Sequence, residues 1–367
     1  MREVRIKDIC DKGSSNLKQK DVENKDGKYP VYGASGLIGK MDAYHQEKEY
    51  IAIVKDGSGI GRVTFLPAKS SVIGTLQYIL PKEGYNIKYL SYCLQSLDLS
   101  KYKQGAAIPH IYFRDYGEYV VKVEEDFSEQ QRIVDFLDTQ FEKIDALKAK
   151  AEQQLQAAKD LFQTALKDLM NPEEGWDKKT LGEVGTFSRG GNFTKADFVD
   201  TGIPCIHYGQ IHMHFGVYTE KSLSYLPNDF KKVKYAESGD LIIAITSEDD
   251  EGSCKCTAWL GNEKVAVGGH IAVFHHQLDP LFMSYFFMSP SFQKAKLDYT
   301  HGFKVVEIKP SDIAKIPILY PTKEKQAIIV EKLKTIQQQI RELNSNFDQT
   351  ITLCNDLKQA LLKSIFE

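Results

Sequence analysis

From Lys323 to the carboxyl terminus, Ile329, Leu333, Ile336, Ile340, Leu343 and Phe347 recur at intervals of four, three, four, three and four residues. That is the spacing of a coiled-coil seam and predicts one long helix. A second segment, from about Ser128 to Met170, carries a looser stripe through Leu137, Phe141, Ile144, Leu147, Ala151, Leu155, Ala158, Phe162 and Leu169. Its small residues Ala151 and Ala158 allow close approach of a partner helix. At ~1.5 Å per residue, a helix of about 43 residues is on the order of 60 Å long, suited to a spacer rather than a compact core. Pro172 and Gly175 end the first helix and mark a domain boundary.

The two helical segments superimpose at a constant offset of 196: Val134 on Val330, Leu137 on Leu333, Ile144 on Ile340, Leu147 on Leu343, Asp160 on Asp356 and Leu166 on Leu362. Upstream the match continues with one residue of slippage, Gly105 with Gly302, Ile111 with Ile308 and Asp115 with Asp312. The chain is therefore an internal repeat of globular segment and helix, divided as 1–125, 126–170, 171–320 and 321–367. Helices of matched length are expected to pair antiparallel, with a globular domain at each end and a pseudo-two-fold axis between them. Each helix packing on its own domain, and homodimerisation through the helices, stand as the alternatives.

Both globular segments alternate short β-like runs with turn residues. Tyr50–Val54, Arg62–Phe65 and Gln77–Leu80 are expected strands in the first, and Leu241–Ile245 and His270–Phe274 in the second. Ile87–Leu97 and Leu281–Met288 read as helices, making each half α+β. Across 367 residues the formal net charge is −3, which argues against a polyanion partner until it is resolved by segment. Residues 1–120 carry +4, residues 121–170 and 171–320 carry −4 each, and 321–367 carry +1. In the third segment Glu248–Glu251 alone supplies four negative charges, leaving the basic side chains free to line a face. The six cysteines have no framework spacing and read as reduced thiols. With no apolar run of ~18 residues and no leader-like amino terminus, the expectation is a soluble cytoplasmic protein off the membrane.

No catalytic engine is recognisable. Gly33–Met41 resembles a phosphate-binding loop, but the first glycine is one residue too far from Gly39-Lys40, and Met41 lacks the hydroxyl that holds Mg²⁺. Gly57-Ser58-Gly59-Ile60-Gly61 lacks dinucleotide-binding spacing, so a tight turn or close backbone approach to a ligand explains it better. His207, His212, His214, His270, His275 and His276, with Cys254 and Cys256, invite a metal reading. The Cys-x-Cys spacing is not a zinc knuckle, however, and His212 and His214, expected on one strand face, bring no carboxylates at a recognisable spacing. Asp249, Asp250 and Glu251 with Lys255 are better read as a solvated loop than as a nuclease cluster. Neither a metal nor another cofactor is expected.

What remains are side chains that read bases and hold phosphates. The first half offers Tyr32, Ser35, Lys55, Ser58, Arg62, Thr75, Gln77, Lys103, Gln104 and His110. The second offers Arg189, Lys195, Tyr208, Gln210, Thr246, Ser247, His270 and Lys304. Arg and Lys pair with guanine and Asn or Gln with adenine, while glycine turns let backbone reach phosphates.

Several motifs, in order, give the chain a family resemblance. They are Tyr29-Pro30-Val31-Tyr32-Gly33-Ala34-Ser35-Gly36, Gly105-Ala106-Ala107-Ile108-Pro109-His110-Ile111 and Glu129-Gln130-Gln131-Arg132-Ile133-Val134, then Leu181-Gly182-Glu183, Gly202-Ile203-Pro204, Gly239-Asp240-Leu241 and Lys325-Gln326-Ala327-Ile328-Ile329-Val330. In this order across two repeats the chain resembles the specificity subunits of type I restriction-modification systems. The resemblance implies two target-recognition domains (1–125 and 171–320) separated by two antiparallel spacer helices (126–170 and 321–367). It implies a non-catalytic subunit that binds double-stranded DNA, each domain reading half of an asymmetric bipartite target. Two methylase subunits would dock on the helices through Gln130, Arg132, Ile133, Gln326 and Ile329, with nuclease/translocase subunits joining through the complex. The second helix departs from the Glu-Gln-x-Arg-Ile opening, with Lys325 and Ile328 at the places of Glu129 and Arg132. The competing readings are a metal-dependent nuclease acting alone and a coiled-coil scaffold that binds only protein.

Overall fold

The computed structural model describes residues 1–367 except Asn24, Ala106, Ala107, Phe303 and Lys304. The chain is α+β and divides into two compact units, Met1–Gln153 with Asn346–Glu367, and Gln154–Ser345. Two long helices, Phe127–Leu169 and Lys323–Phe366, each contribute to both units.

Among the described residues of the first unit, nine strands precede the long helix: β1 (Arg2–Arg5), β2 (Cys10–Ser14), β3 (Tyr29–Gly33), β4 (Gly36–Met41), β5 (Tyr50–Val54), β6 (Val63–Leu66), β7 (Ser71–Val72), β8 (Leu76–Pro81) and β9 (Val120–Val123). The main sheet has the order β2-β8-β5-β6, all antiparallel, and a smaller sheet runs β4-β3-β7. Strand β5 is buried at every position, which explains why its sequence is a continuous apolar run rather than an alternation. Helix Ile87–Gln95 lies against this sheet, begun by the Asn86 side chain, which accepts from the Lys88 and Tyr89 N–H groups.

Among its described residues the second unit has thirteen strands: β10 (Asp177–Thr180), β11 (Gly185–Arg189), β12 (Ile203–Ile206), β13 (Tyr218–Thr219), β14 (Ser224–Leu226), β15 (Tyr235–Ala236), β16 (Leu241–Ala244), β17 (Thr246–Ser247), β18 (Cys256–Trp259), β19 (Val265–Val267), β20 (Ile271–His276), β21 (Val306–Glu307) and β22 (Pro317–Tyr320). Its main sheet, β11-β20-β16-β18-β13, keeps the first unit's order and adds an edge strand. In its smaller sheet β12 pairs antiparallel with β14 and parallel with β19, as β3 does with β4 and β7. Asp279 caps helix Pro280–Met288 as Asn86 caps its counterpart. The repeat read from the helices therefore extends to the strand topology. His212 lies on the short helix Tyr208–Met213 and His214 at its end, not on the strand expected for them, because Gln210 and His207 form a capping box there.

Within each unit the long helices run antiparallel and pack both on the domain and on each other. In the first unit Asp145 pairs with Lys358 at 2.6 Å and Lys148 donates to Asn355 at 3.1 Å, so numbers rise on one helix as they fall on the other. Val134, Leu137, Phe141 and Ile144 share a core with Leu362, Phe366 and the Ile87–Gln95 helix. In the second, Phe162, Leu166 and Met170 share one with Ile329, Leu333 and Ile340. Each fully buried leucine, such as Leu137 or Leu333, contributes roughly 1.5–3 kcal/mol. Leu147 and Leu343 depart from the expected stripes, being 53% and 44% exposed. The helix turn places Lys148 and Asn344, the next residues and again 196 apart, nearer the seam. Among the described residues no helix is long and apolar enough to cross a membrane, and no cluster of metal-ligating side chains forms.

Candidate nucleic-acid interface

The same hydrogen-bonded frame recurs in both units, at the carboxyl end of the interior strand β5 in one and of β16 in the other. In the first unit the chain leaving β5 is held from both sides. Lys55 N–H donates to the Thr75 carbonyl at 2.9 Å, and the Lys55 carbonyl accepts from Ile111 N–H at 2.9 Å. Gln104 and His110 exchange two backbone hydrogen bonds, of 2.8 and 2.9 Å. In the second unit Ile245 N–H donates to the His270 carbonyl, and the Ile245 carbonyl accepts from Ile308 N–H, each at 3.0 Å. His301 and Glu307 exchange bonds of 3.0 and 2.9 Å. These bonds match Lys55 to Ile245, Asp56 to Thr246, Thr75 to His270, Gln104 to His301 and His110 to Glu307. The backbone is common to both frames, and the side chains it presents are different.

On the first frame His110 Nδ1 bonds the Asp56 carboxylate, and the imidazole packs tilted against Tyr112 with ring centroids 4.0 Å apart, the Arg114 guanidinium lying 4.5 Å from the Tyr112 ring. Gln104 donates to Asp115 at 2.9 Å. Beside them a cleft of about 480 Å³ is lined by Ser35, Asp56, Ser58, Arg62 and Thr75. Arg62 crosses to the β3–β4 turn, where it donates to the Ala34 carbonyl at 2.8 Å. Lys103 is exposed on the neighbouring loop. Two of the sequence-derived residues sit differently: Gln77 accepts from the Tyr116 hydroxyl at 2.8 Å, and Tyr32 packs partly buried on an apolar cluster.

On the second frame Arg189 donates to Glu307 at 2.6 Å. Thr246 Oγ1 lies 3.0 Å from His270 Nδ1, and the Thr246 carbonyl accepts from His212 Nε2 at 3.2 Å. The Tyr208 ring is 5.1 Å from His270 and 4.5 Å from His207. Burial first, then Lys195 and His270, hold the His207 imidazole below its ordinary pKa. Lys195 is exposed, Ser247 pairs with Val306 across β17–β21, and Lys304 lies outside the described residues. Gln210 is buried by its capping role, accepting from His207 N–H at 2.9 Å and donating to Ser224 at 2.7 Å. Asp56, Tyr112, Arg114, His301 and Glu307 also belong to the frames, though none was among the residues expected to contact DNA. The slipped register that sets Ile111 on Ile308 already sets His110 on Glu307 and Gln104 on His301.

The helix residues expected to dock partners divide sharply. Gln130 is fully buried: its Oε1 accepts from Asn86 N–H at 2.7 Å and its Nε2 donates to the Glu124 carbonyl at 2.8 Å. Gln326 repeats this with Asp279 N–H at 2.9 Å and the Pro321 carbonyl at 2.8 Å. Each glutamine ties the start of a long helix to the capped helix of its own domain. Ile329 is buried and Ile133 packs on the first core, whereas Arg132 is exposed and paired with Glu129. Other apolar helix residues do face solvent: Phe136, Leu147, Leu353 and Leu357 in the first unit, and Leu161, Ile328 and Leu343 in the second.

The family model for the type I restriction modification DNA specificity domain matches twice, over residues 1–157 and 173–362. A chain from a structure on complex assembly and conformational transition of the type I R-M system shares 18% identity at a TM-score of 0.72, over 98% of this chain and 96% of that one. The HsdS subunit from Thermoanaerobacter tengcongensis shares 18% identity over 98% and 95% of the two chains, at a TM-score of 0.49. The type I S subunit from M. genitalium shares 14% over 100% and 96%, at 0.43. No curated protein matches the chain. With nearly its whole length covered by two copies of the model, the chain belongs to the type I restriction-modification DNA specificity family.

Proposed function

We propose that this chain selects DNA sites for a type I restriction-modification complex, its first domain reading one half of an asymmetric bipartite target and its second domain the other. One observation carries the reading: the frame around Lys55 and that around Ile245 share backbone hydrogen bonds but present unlike side chains. A common scaffold bearing Asp56, Thr75, Gln104 and His110 in one copy and Thr246, His270, His301 and Glu307 in the other suits two readers of different base pairs. The chain performs no chemistry itself. Two methylase subunits dock on the long helices, through exposed apolar residues such as Phe136, Leu147, Ile328 and Leu343 rather than through buried Gln130 and Gln326. Nuclease/translocase subunits join through that complex in the cytoplasm. Co-expression with a methylase partner, followed by sequencing of modified bases, tests this. One new asymmetric, gapped adenine motif is expected; an unchanged methylation pattern would overturn it. Leu147→Glu with Leu343→Glu should weaken methylase capture while leaving the circular dichroism spectrum unchanged.

A further inference from the structure

Between β5 and β6 the chain passes through Gly57, Ser58, Gly59, Ile60 and Gly61. The three glycines have φ of +84°, +86° and +82°, while Ser58 and Ile60 do not adopt positive φ. Alternating handedness of this kind turns successive N–H groups toward one concave side. Gly57 N–H is taken by the Pro109 carbonyl at 2.9 Å and Gly61 N–H by the Val54 carbonyl at 2.8 Å. Those of Ser58, Gly59 and Ile60 make no hydrogen bond among the described residues. The Arg62 guanidinium lies over this turn: a Cβ on Gly59 would sit 2.9 Å from Nη2 and push the guanidinium aside. Among the described residues the one carboxylate lining the cleft, Asp56, is already bonded by His110 and lies 3.8 Å from the Lys55 ammonium.

A turn that offers N–H donors, a guanidinium and hydroxyls from Ser58 and Thr75 asks for a ligand that only accepts. A guanine edge also offers only acceptors but is neutral, whereas a phosphodiester oxygen accepts and carries the charge that a guanidinium within a ring of backbone N–H groups favours. Resting on the DNA-reading function proposed above, we propose that Gly57–Arg62 holds a backbone phosphate of the first half-site and positions that domain on the duplex. The matching segment of the second unit is built to opposite effect. Ser247–Cys254 carries Glu248, Asp249, Asp250 and Glu251, which repel a phosphate, and the Asp249 carboxylate already takes the Gly252 N–H at 2.7 Å. Buried Lys296 pins that loop through the Ser253 carbonyl at 2.7 Å. The two readers thus grip the duplex unequally, and only the first carries a phosphate cradle at this place.

The test is equilibrium binding by the full chain with its methylase partner, on the motif found by methylome sequencing and on unrelated DNA, over a salt series. Arg62→Ala should weaken both DNAs alike, about tenfold, and make the salt slope shallower by about 0.9, the value for one phosphate contact. Arg62→Lys, which keeps the charge and loses the bidentate fork, should restore most of the binding. Neutral methylphosphonate linkages walked through the first half-site should reveal one position whose effect disappears in Arg62→Ala. Loss confined to the motif, with Arg62→Lys as damaging as Arg62→Ala, would assign the residue to a base edge and overturn the proposal. An unaltered salt slope would also overturn it. If the wild-type complex itself showed no salt-dependent binding, the failure would lie with the DNA-reading function.

Discussion

Replacing Gln130 by leucine removes the amide that ties the first long helix to its domain while nearly filling the same space. Two groups lose their partners: Asn86 N–H, at 2.7 Å from Oε1, and the Glu124 carbonyl, at 2.8 Å from Nε2. A third, weaker bond to the Gly84 carbonyl at 3.4 Å goes with them. Each such group left unmatched away from water costs about 1–3 kcal/mol, so the variant should lose about 2–6 kcal/mol in the first unit. The chain has two units and need not unfold in one step, so amide hydrogen exchange reports better than a single melting curve. Exchange in helix Ile87–Gln95 should accelerate by roughly 30-fold or more, since 1.4 kcal/mol corresponds to about tenfold. Helix Pro280–Met288 should be unaffected, and Gln326→Leu should reverse the pattern. If Gln130→Leu left exchange in Ile87–Gln95 within about twofold of wild type while abolishing methylase binding, the glutamine would be a docking residue and the reasoning would fail.

Three further outcomes are expected. Burial pushes the His276 imidazole down to about 4, so it stays neutral in the fold while the unfolded chain takes up a proton near 6.5. Stability should fall as pH drops from about 6.5 toward 4, and His276→Phe should flatten that decline in urea titrations. Burial raises the Cys10, Cys93, Cys205 and Cys254 thiols to about 12, so the unfolded chain releases their protons first. Stability should therefore decline as pH rises above about 9, and these thiols should resist alkylation at pH 8 until denaturant is added, as mass spectrometry would show. The exposed Arg189–Glu307 pair should contribute under about 1 kcal/mol to stability, so Glu307→Gln should leave the fold intact and alter recognition in the second half-site alone.

The repeat was legible because a helical seam fixes residue type at a regular interval, and the offset of 196 survives where the surface residues change. Strands β5 and β16 were legible as buried apolar runs. The pairs β1–β9 and β10–β22 were not, since Arg2–Arg5 and Asp177–Thr180 are polar and gain strand form only from a partner over a hundred residues away. The recognition frame was legible as a set of polar residue types, not as an arrangement. Nothing local says that Thr75, Lys55 and Ile111 meet, or that Asp56 takes His110. Burial of Gln130 and Gln326 ran against the usual exposure of glutamine. The available clue was that this glutamine is retained where Lys325 and Ile328 replace Glu129 and Arg132. Leu147 and Leu343 read as seam residues because apolar spacing alone cannot tell a core stripe from an exposed apolar face.

The central claim is that two copies of one frame read different bases. Methylome sequencing of cells co-expressing the methylase with either Gln104→Ala/His110→Ala or Thr246→Ala/His270→Ala tests it most directly. Each variant should relax or change bases in one half of the gapped motif, a different half for each, and leave the other half as in wild type. Changes to the same bases in both variants, or a motif unaltered by either, would contradict the account.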